Sequence, residues 1–279
     1  MKSPTFPYRG KFPVILMCTG ILLTGGWPAQ TKAESVDSEL VLLVDAAQAA
    51  LNNTGFSQLM DGYAAAFSSS EILDSIQSGA SGKIAVSLMF FGNTGTQQVG
   101  IPWMMIGDSA QALQFASLVQ NVPRPFFNGT SDVASALSAA STSFGTETGG
   151  SPNGFESAVQ IIEVAEARSP QNNSAAAVST NSSSALLAGV DIINSLALGN
   201  QASAIDNFYA ANVIGSTIPG MIATNSTAPL NNSLATTMVG MLSGSVQAGA
   251  TTSITAVPEP GPIFSLMASI LILLKRRRR

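Results

Sequence analysis

Histidine is absent from the 279 residues, and the single cysteine is Cys18. This removes Ser-His-Asp and Cys-His nucleophilic catalysis, zinc sites built on His or Cys, and any disulfide within the mature chain. Chemistry is left to carboxylates and hydroxyls. Glu163 and Glu166 stand three apart, on a strand and its exit. That spacing puts them on opposite faces, so we expect solvated or Arg168-paired carboxylates rather than an acid/base pair. Ser78-Gly79-Ala80-Ser81-Gly82-Lys83 lacks the Gly-x-x-x-x-Gly-Lys-Ser/Thr spacing of a phosphate loop and reads as a turn before a strand. A hydrolase would need an Asp/Glu-only mechanism such as glycoside hydrolysis, and no aromatic-lined acidic cleft is legible. No catalytic residue and no cofactor is therefore expected. Trp103, with Pro102, Met104 and Met105, reads as core or edge-strand packing. Phe126 and Phe127 read as buried in preference to an exposed contact patch.

These residues hang on a regular alternation of elements. Leu40–Asp45 is an almost unbroken apolar run ending in an acid, the pattern of a strand covered on both faces. Phe56, Leu59, Met60, Tyr63, Ala64 and Phe67 follow at helical spacing, and Ile72, Leu73 and Ile76 continue as a short helix. Lys83–Phe91 and Val99–Ile106 are strands joined by Gly92-Asn93-Thr94-Gly95, hence a hairpin. Asp108 can cap a helix running to Gln120, and Val133–Phe144 is a further helix. Val159–Val164 and Val190–Leu198 are strands, with a Ser/Asn/Ala stretch between them that runs into a helix ending at Gly189. Ile205–Val213 and Asn231–Leu242 are helical. The class is α/β: a doubly wound, mostly parallel sheet with helices on both faces.

A hydrophobic strand ending in Asp45, then a helix with Met-Asp-Gly-Tyr-Ala-Ala-Ala-Phe, resembles the von Willebrand factor A-like fold. The ordered pieces Ile101-Pro102-Trp103, Pro123-Arg124, Gly129-Thr130, Ile161–Val164, Ala188–Asn194 and Tyr209–Gly215 extend the resemblance over nearly the whole body, to a family of exported bacterial proteins. It implies a divalent ion held by Asp-x-Ser-x-Ser on a first loop, Thr on a second and Asp on a third. A hard ion needs about six oxygens, so several loops must converge. Here Asp45 and Thr130 keep their oxygens, while Ala47, Ala49 and Ala167 take the other three positions. The site is expected to be vestigial, with Asp45 and Thr130 bonding to loop amides. The alternative is a magnesium- or calcium-dependent adhesion domain with altered ligands: Asp45, Thr130 and Glu166.

The ends carry addresses. Lys2, Arg9 and Lys11 precede the apolar run Phe12–Leu23, and Thr31-Lys32-Ala33 offers a small residue for cleavage, so residues 1–33 read as a signal peptide. A lipid anchor on Cys18 competes, but Met17 is bulky for it. At the other end stand Val257, Pro258, Glu259 and Pro260, an apolar segment over 262–274, and Lys275, Arg276, Arg277, Arg278 and Arg279. Pro258 and Pro260 break any helix across the box. The order of box, apolar segment and basic end resembles the PEP-CTERM sorting signal of Gram-negative bacteria. The resemblance implies an exosortase as partner, transient residence in the inner membrane, and export to the envelope, surface or extracellular matrix. As a helix, the thirteen residues from Pro262 to Leu274 rise only about 20 Å, so lysine and arginine stems must help span the bilayer. A plain tail anchor is the competing reading.

Between Glu34 and Ala256 three basic side chains, Lys83, Arg124 and Arg168, face fifteen acidic ones, a net charge of −12. Such a body repels nucleic acid. The predicted organisation is a signal peptide (1–33), an A-like domain (34–242), a Gly/Ser/Thr/Ala linker (243–256) and a sorting tail (257–279). The predicted function is a surface-directed, non-enzymatic binding or structural protein that contacts protein or polysaccharide through loops at the carboxyl ends of the strands.

Overall fold

The structure is a computed structural model and describes residues 33–144, 153–168 and 173–251, apart from 220, 222 and 232. The signal peptide, the proline box and the apolar tail lie outside the described residues, as does most of the polar loop from Gly145.

Unalternating apolar runs became strands covered on both faces. In chain order the strands are β1 (Glu34–Val36), β2 (Ser38–Asp45), β3 (Ile84–Phe91), β4 (Gln97–Ile106), β5 (Phe155–Ser157), β6 (Gln160–Glu166), β7 (Ile192–Leu198), β8 (Gly215–Ser216) and β9 (Asn225–Ala228). The helices are α1 (Asn53–Phe67), α2 (Ser70–Gln77), α3 (Ser109–Asn121), α4 (Val133–Ser143), α5 (Ala175–Leu187), α6 (Ala202–Asn212) and α7 (Leu234–Thr251). The main sheet runs β4-β3-β2-β6-β7-β8, with β9 also on β7. β2 lies parallel between β3 and β6, and β6 pairs β7 in parallel. β4 returns antiparallel to β3, which confirms the hairpin. β1 and β5 form a separate parallel pair. Their three-residue lengths explain why periodicity could not reveal them.

Alternation along the strands builds two cores. Leu40, Leu42 and Val44 face α1, α2, α3 and α7, together with Phe56, Tyr63, Phe115 and Leu242. Val41 and Leu43 face α4, α5 and α6, together with Leu137, Val178 and Ile205. Local chemistry sets the helix starts. Asn52, Ser69, Asp108, Asp132 and Ser174 each accept an N–H of their own first turn. At the end of α5, Gly189 takes φ +115°, a left-handed stop that favours glycine.

One segment overturns its sequence reading. The linker expected over Ser243–Ala256 is helical as far as Thr251, as the continuation of α7. Ser243, Ser245, Val246 and Ala248 on it are buried. Gly, Ser and Ala are linker residues by composition. Here they let a helix lie close on the sheet, because Leu234, Met238, Met241 and Leu242 recur at helical spacing just before them. Among the described residues no helix is long and apolar enough to cross a membrane.

Candidate functional site

The carboxyl ends of β2, β3, β6 and β7 bring four loops to one end of the sheet. Asp45 closes β2 and is fully buried. Its Oδ1 accepts the Ala47 N–H at 2.9 Å, and its Oδ2 accepts the Ser131 hydroxyl. Ser131 in turn accepts Asn173 Nδ2 on its carbonyl at 2.8 Å. Burial raises the Asp45 carboxyl to about 6, against the lowering effect of these bonds and of Arg124 and Arg168. Thr130, the position picked out from the sequence, precedes Ser131 in the loop and is half-buried. The hydroxyl that reaches Asp45 is Ser131's, and a reading by motif position alone had no means of seeing that one-residue offset.

Two guanidinium groups occupy the first loop's surroundings. Arg124 donates to the carbonyls of Ala46, Ala47 and Leu51 and to Asn53 Oδ1, at 2.6–3.3 Å. It also lies 5.3 Å from the centre of the Phe56 ring. Arg168 donates to the Ala49 carbonyl at 3.2 Å. The loop that should carry hydroxyl ligands is thus held by its own carbonyls against cationic side chains. Phe127 completes the clasp. It bridges Ala47, and its carbonyl accepts the Gln48 N–H at 3.1 Å.

Glu166 ends β6 beside Asp45 and is 1% exposed. It accepts the Tyr209 hydroxyl on Oε2, while Oε1 is buried without a hydrogen-bond partner. Burial, then the nearby Asp45 charge, hold its carboxyl well above the usual range. Glu163 points to the other face, where Asn194 Nδ2 donates to Oε1 at 2.9 Å and Ser245 of α7 donates to the same oxygen. Burial pushes Glu163 up to about 7. The opposite-face assignment is therefore right. The expectation of solvated or Arg168-paired carboxylates is wrong, because Tyr209 and Ser245 arrive from helices distant in sequence. The pair does no joint acid/base work, since the sheet separates the two groups.

The residues around Asp45 do not fit a hard divalent ion. Both Asp45 oxygens are engaged by an amide and a hydroxyl, and Ala47, Ala49 and Ala167 offer no side-chain oxygen. Arg168 adds repulsion. Among the described residues no group of three His, Cys, Asp or Glu side chains is placed to hold a metal. Ser78–Lys83 is a structural turn, in which the Ser81 and Lys83 amides donate to Asp37. Trp103 packs on Phe144 and donates to the Ser143 carbonyl. Phe126 corrects the expectation of burial: it is 75% exposed, while Phe127 is half-buried beside it.

Sheet order and strand directions, with β4 and β8 as antiparallel strands at the two edges of a parallel core, define a von Willebrand A-like domain. The chain belongs to the family described as "Protein of unknown function (DUF1194)", whose model matches residues 35–239. Solved structures share the fold at low identity. Proximal thread matrix protein 1 from the mussel byssus is 12% identical, with a TM-score of 0.52 over 77% of this chain and 49% of that one. The chain thus spans about half the length of the mussel protein. The pilus adhesin SpaC from Lactobacillus rhamnosus GG is 14% identical, with a TM-score of 0.48 over 79% of this chain and 31% of that one. The SpRpn10 VWA domain is 14% identical, with a TM-score of 0.46 over 74% of this chain and 94% of that one. No curated protein matches the sequence.

Proposed function

We propose that this is an exported, envelope- or surface-directed binding or structural protein: an A-like domain whose metal site has been replaced by an internal clasp. The observation that carries this reading is the loop Ala46–Leu51. Its ligand positions are alanines, and its carbonyls are tied to Arg124 and Arg168. A loop fixed from within can present a surface for contact without an ion to organise it. The A-like structural neighbours include a pilus adhesin and a byssus matrix protein, which agrees with a role in contact rather than catalysis. Delivery follows from the tail: an exosortase acts at the Val257–Pro260 box after the apolar segment and Lys275–Arg279 have held the chain at the inner membrane.

Melting of the exported protein with and without millimolar magnesium, calcium or manganese tests the clasp. No shift is expected, whereas a rise of several degrees supports the second reading, a metal-dependent adhesion domain using Asp45, Thr130 and Glu166. The unpartnered Glu166 Oε1 is the one observation in favour of that alternative. Delivery is tested by the mass of the mature protein from hosts with and without the exosortase. Loss of everything after the box only when the enzyme is present is expected; an intact tail in both strains overturns the sorting assignment.

A further inference from the structure

We propose that the end of the domain around Phe126 is a binding site for a neutral polysaccharide, with the Phe126 ring as a stacking platform; the proposal rests on the surface-binding reading and specifies its ligand. Phe126 is 75% exposed. An exposed aromatic on a slack loop would mean little, but this one is held on both sides. Arg124, two residues before it, is anchored to three carbonyls and Asn53. Phe127, the next residue, pairs with Ala47 and packs so tightly on Gly92 that a Cβ there would fall 2.5 Å from its own Cβ. A preorganised aromatic loses little freedom on binding and makes a strong contact.

The chemistry around the ring selects the ligand. Exposed Gln48 adjoins it through the backbone bond to Phe127, Asn53 adjoins it through Arg124, and Asn128 follows two residues on. The Gln48 and Asn128 side chains have no hydrogen-bond partner among the described residues. The nearby charges are already used: Arg124 on carbonyls, and Asp132 on Thr94 and the Ser135 amide. What remains is an exposed apolar ring on a loop whose neighbouring segments carry exposed neutral amides, with Gln48 and Asn128 able both to donate and to accept. A pyranose ring matches this, with C–H groups on one face and hydroxyls around its edge. A protein partner would ask for a contiguous apolar patch. The other exposed large apolar side chains of the described residues, Val99, Leu113, Leu118 and Leu187, belong to β4, α3 and α5 instead.

Affinity electrophoresis of the full-length protein through gels containing dextran, laminarin or alginate tests the assignment. Retardation by at least one of the two neutral glucans is expected. Phe126→Ala should weaken it at least about tenfold, a hot-spot loss. Phe126→Trp should retain it. Leu187→Ala, at the sheet's opposite end, should leave it unchanged. No retardation by either glucan, retardation by alginate alone, or equal binding by Phe126→Ala overturns the proposal. Binding to isolated host envelopes is measured in parallel. If it is abolished by protease treatment of the envelopes, the partner is a protein and the polysaccharide assignment fails while the surface-binding reading stands. If no envelope binding occurs, that broader reading fails as well.

Discussion

Arg124 is the side chain on which the first loop depends, and its replacement should show it. One fork satisfies three main-chain carbonyls, and hydrogen bonds to a charged group contribute more than neutral ones. Arg124→Met keeps much of the stem over Phe56 but removes every donor. Urea unfolding should register a loss of about 2–3 kcal/mol. Arg124→Lys should recover less than half of it, because a point charge cannot reach three carbonyls at once; full recovery by lysine would refute the clasp. Glu163 makes a second measurable claim. An ordinary glutamate titrates near 4.5, and this one is pushed up to about 7. The folded state therefore keeps a proton that the unfolded chain releases between those values. The stabilisation is complete below about 4.5 and is lost as pH rises through about 7, by an amount on the order of 3 kcal/mol. The groups around it are Tyr63 from α1, itself raised far above its usual value, Asn194 from β7 and Ser245 from α7, a helix with no titratable side chain. Glu163→Gln should flatten the fall in melting temperature between pH 5 and 8; an unchanged slope would show that another group carries it.

Helix α7 is the element the sequence misjudged, and with α1, α2 and α3 it covers one face of the sheet. Met238 and Leu242 are buried in the larger core, and Ser245 reaches Glu163. The crossing of α7 over α1 is permitted by Gly62, where an added Cβ would lie 3.0 Å from Leu234 Cδ2 and from Met238 Sδ. Gly62→Leu should unseat α7 and destabilise by about 1–3 kcal/mol or more, since overpacked cores relax poorly. Gly240, on α7, has nothing near its missing Cβ. Gly240→Ala should therefore be neutral or stabilise by up to about 1 kcal/mol, as alanine is the better helix former. Thermal melts of the two variants separate a helix that is packed from one that merely continues the chain.

For the molecule as a whole, the last buried side chain described is Ala248, ahead of the Val257–Pro260 box. Removal of the tail by processing should leave the fold intact. A chain ending at Ala256 should melt with the full-length protein, while one ending at Ser233 should lose its cooperative transition. The body's excess of acid, −12 over Glu34–Ala256, should also keep it from retarding duplex DNA even at low salt, where non-specific binding is strongest. Composition alone established that excess of acid. It also excluded histidine and cysteine chemistry, and period and turn chemistry were enough to call the α/β class, the β3–β4 hairpin and the cap at Asp108, because those depend on neighbours in sequence. Tertiary structure decided what depends on distant partners: Ser131 rather than Thr130 on Asp45, Tyr209 and Ser245 over two glutamates, Arg124 across the first loop, Phe126 left outside. Periodicity records which face a side chain takes, whereas the group it meets there is set by how helices far along the chain come to rest on the sheet.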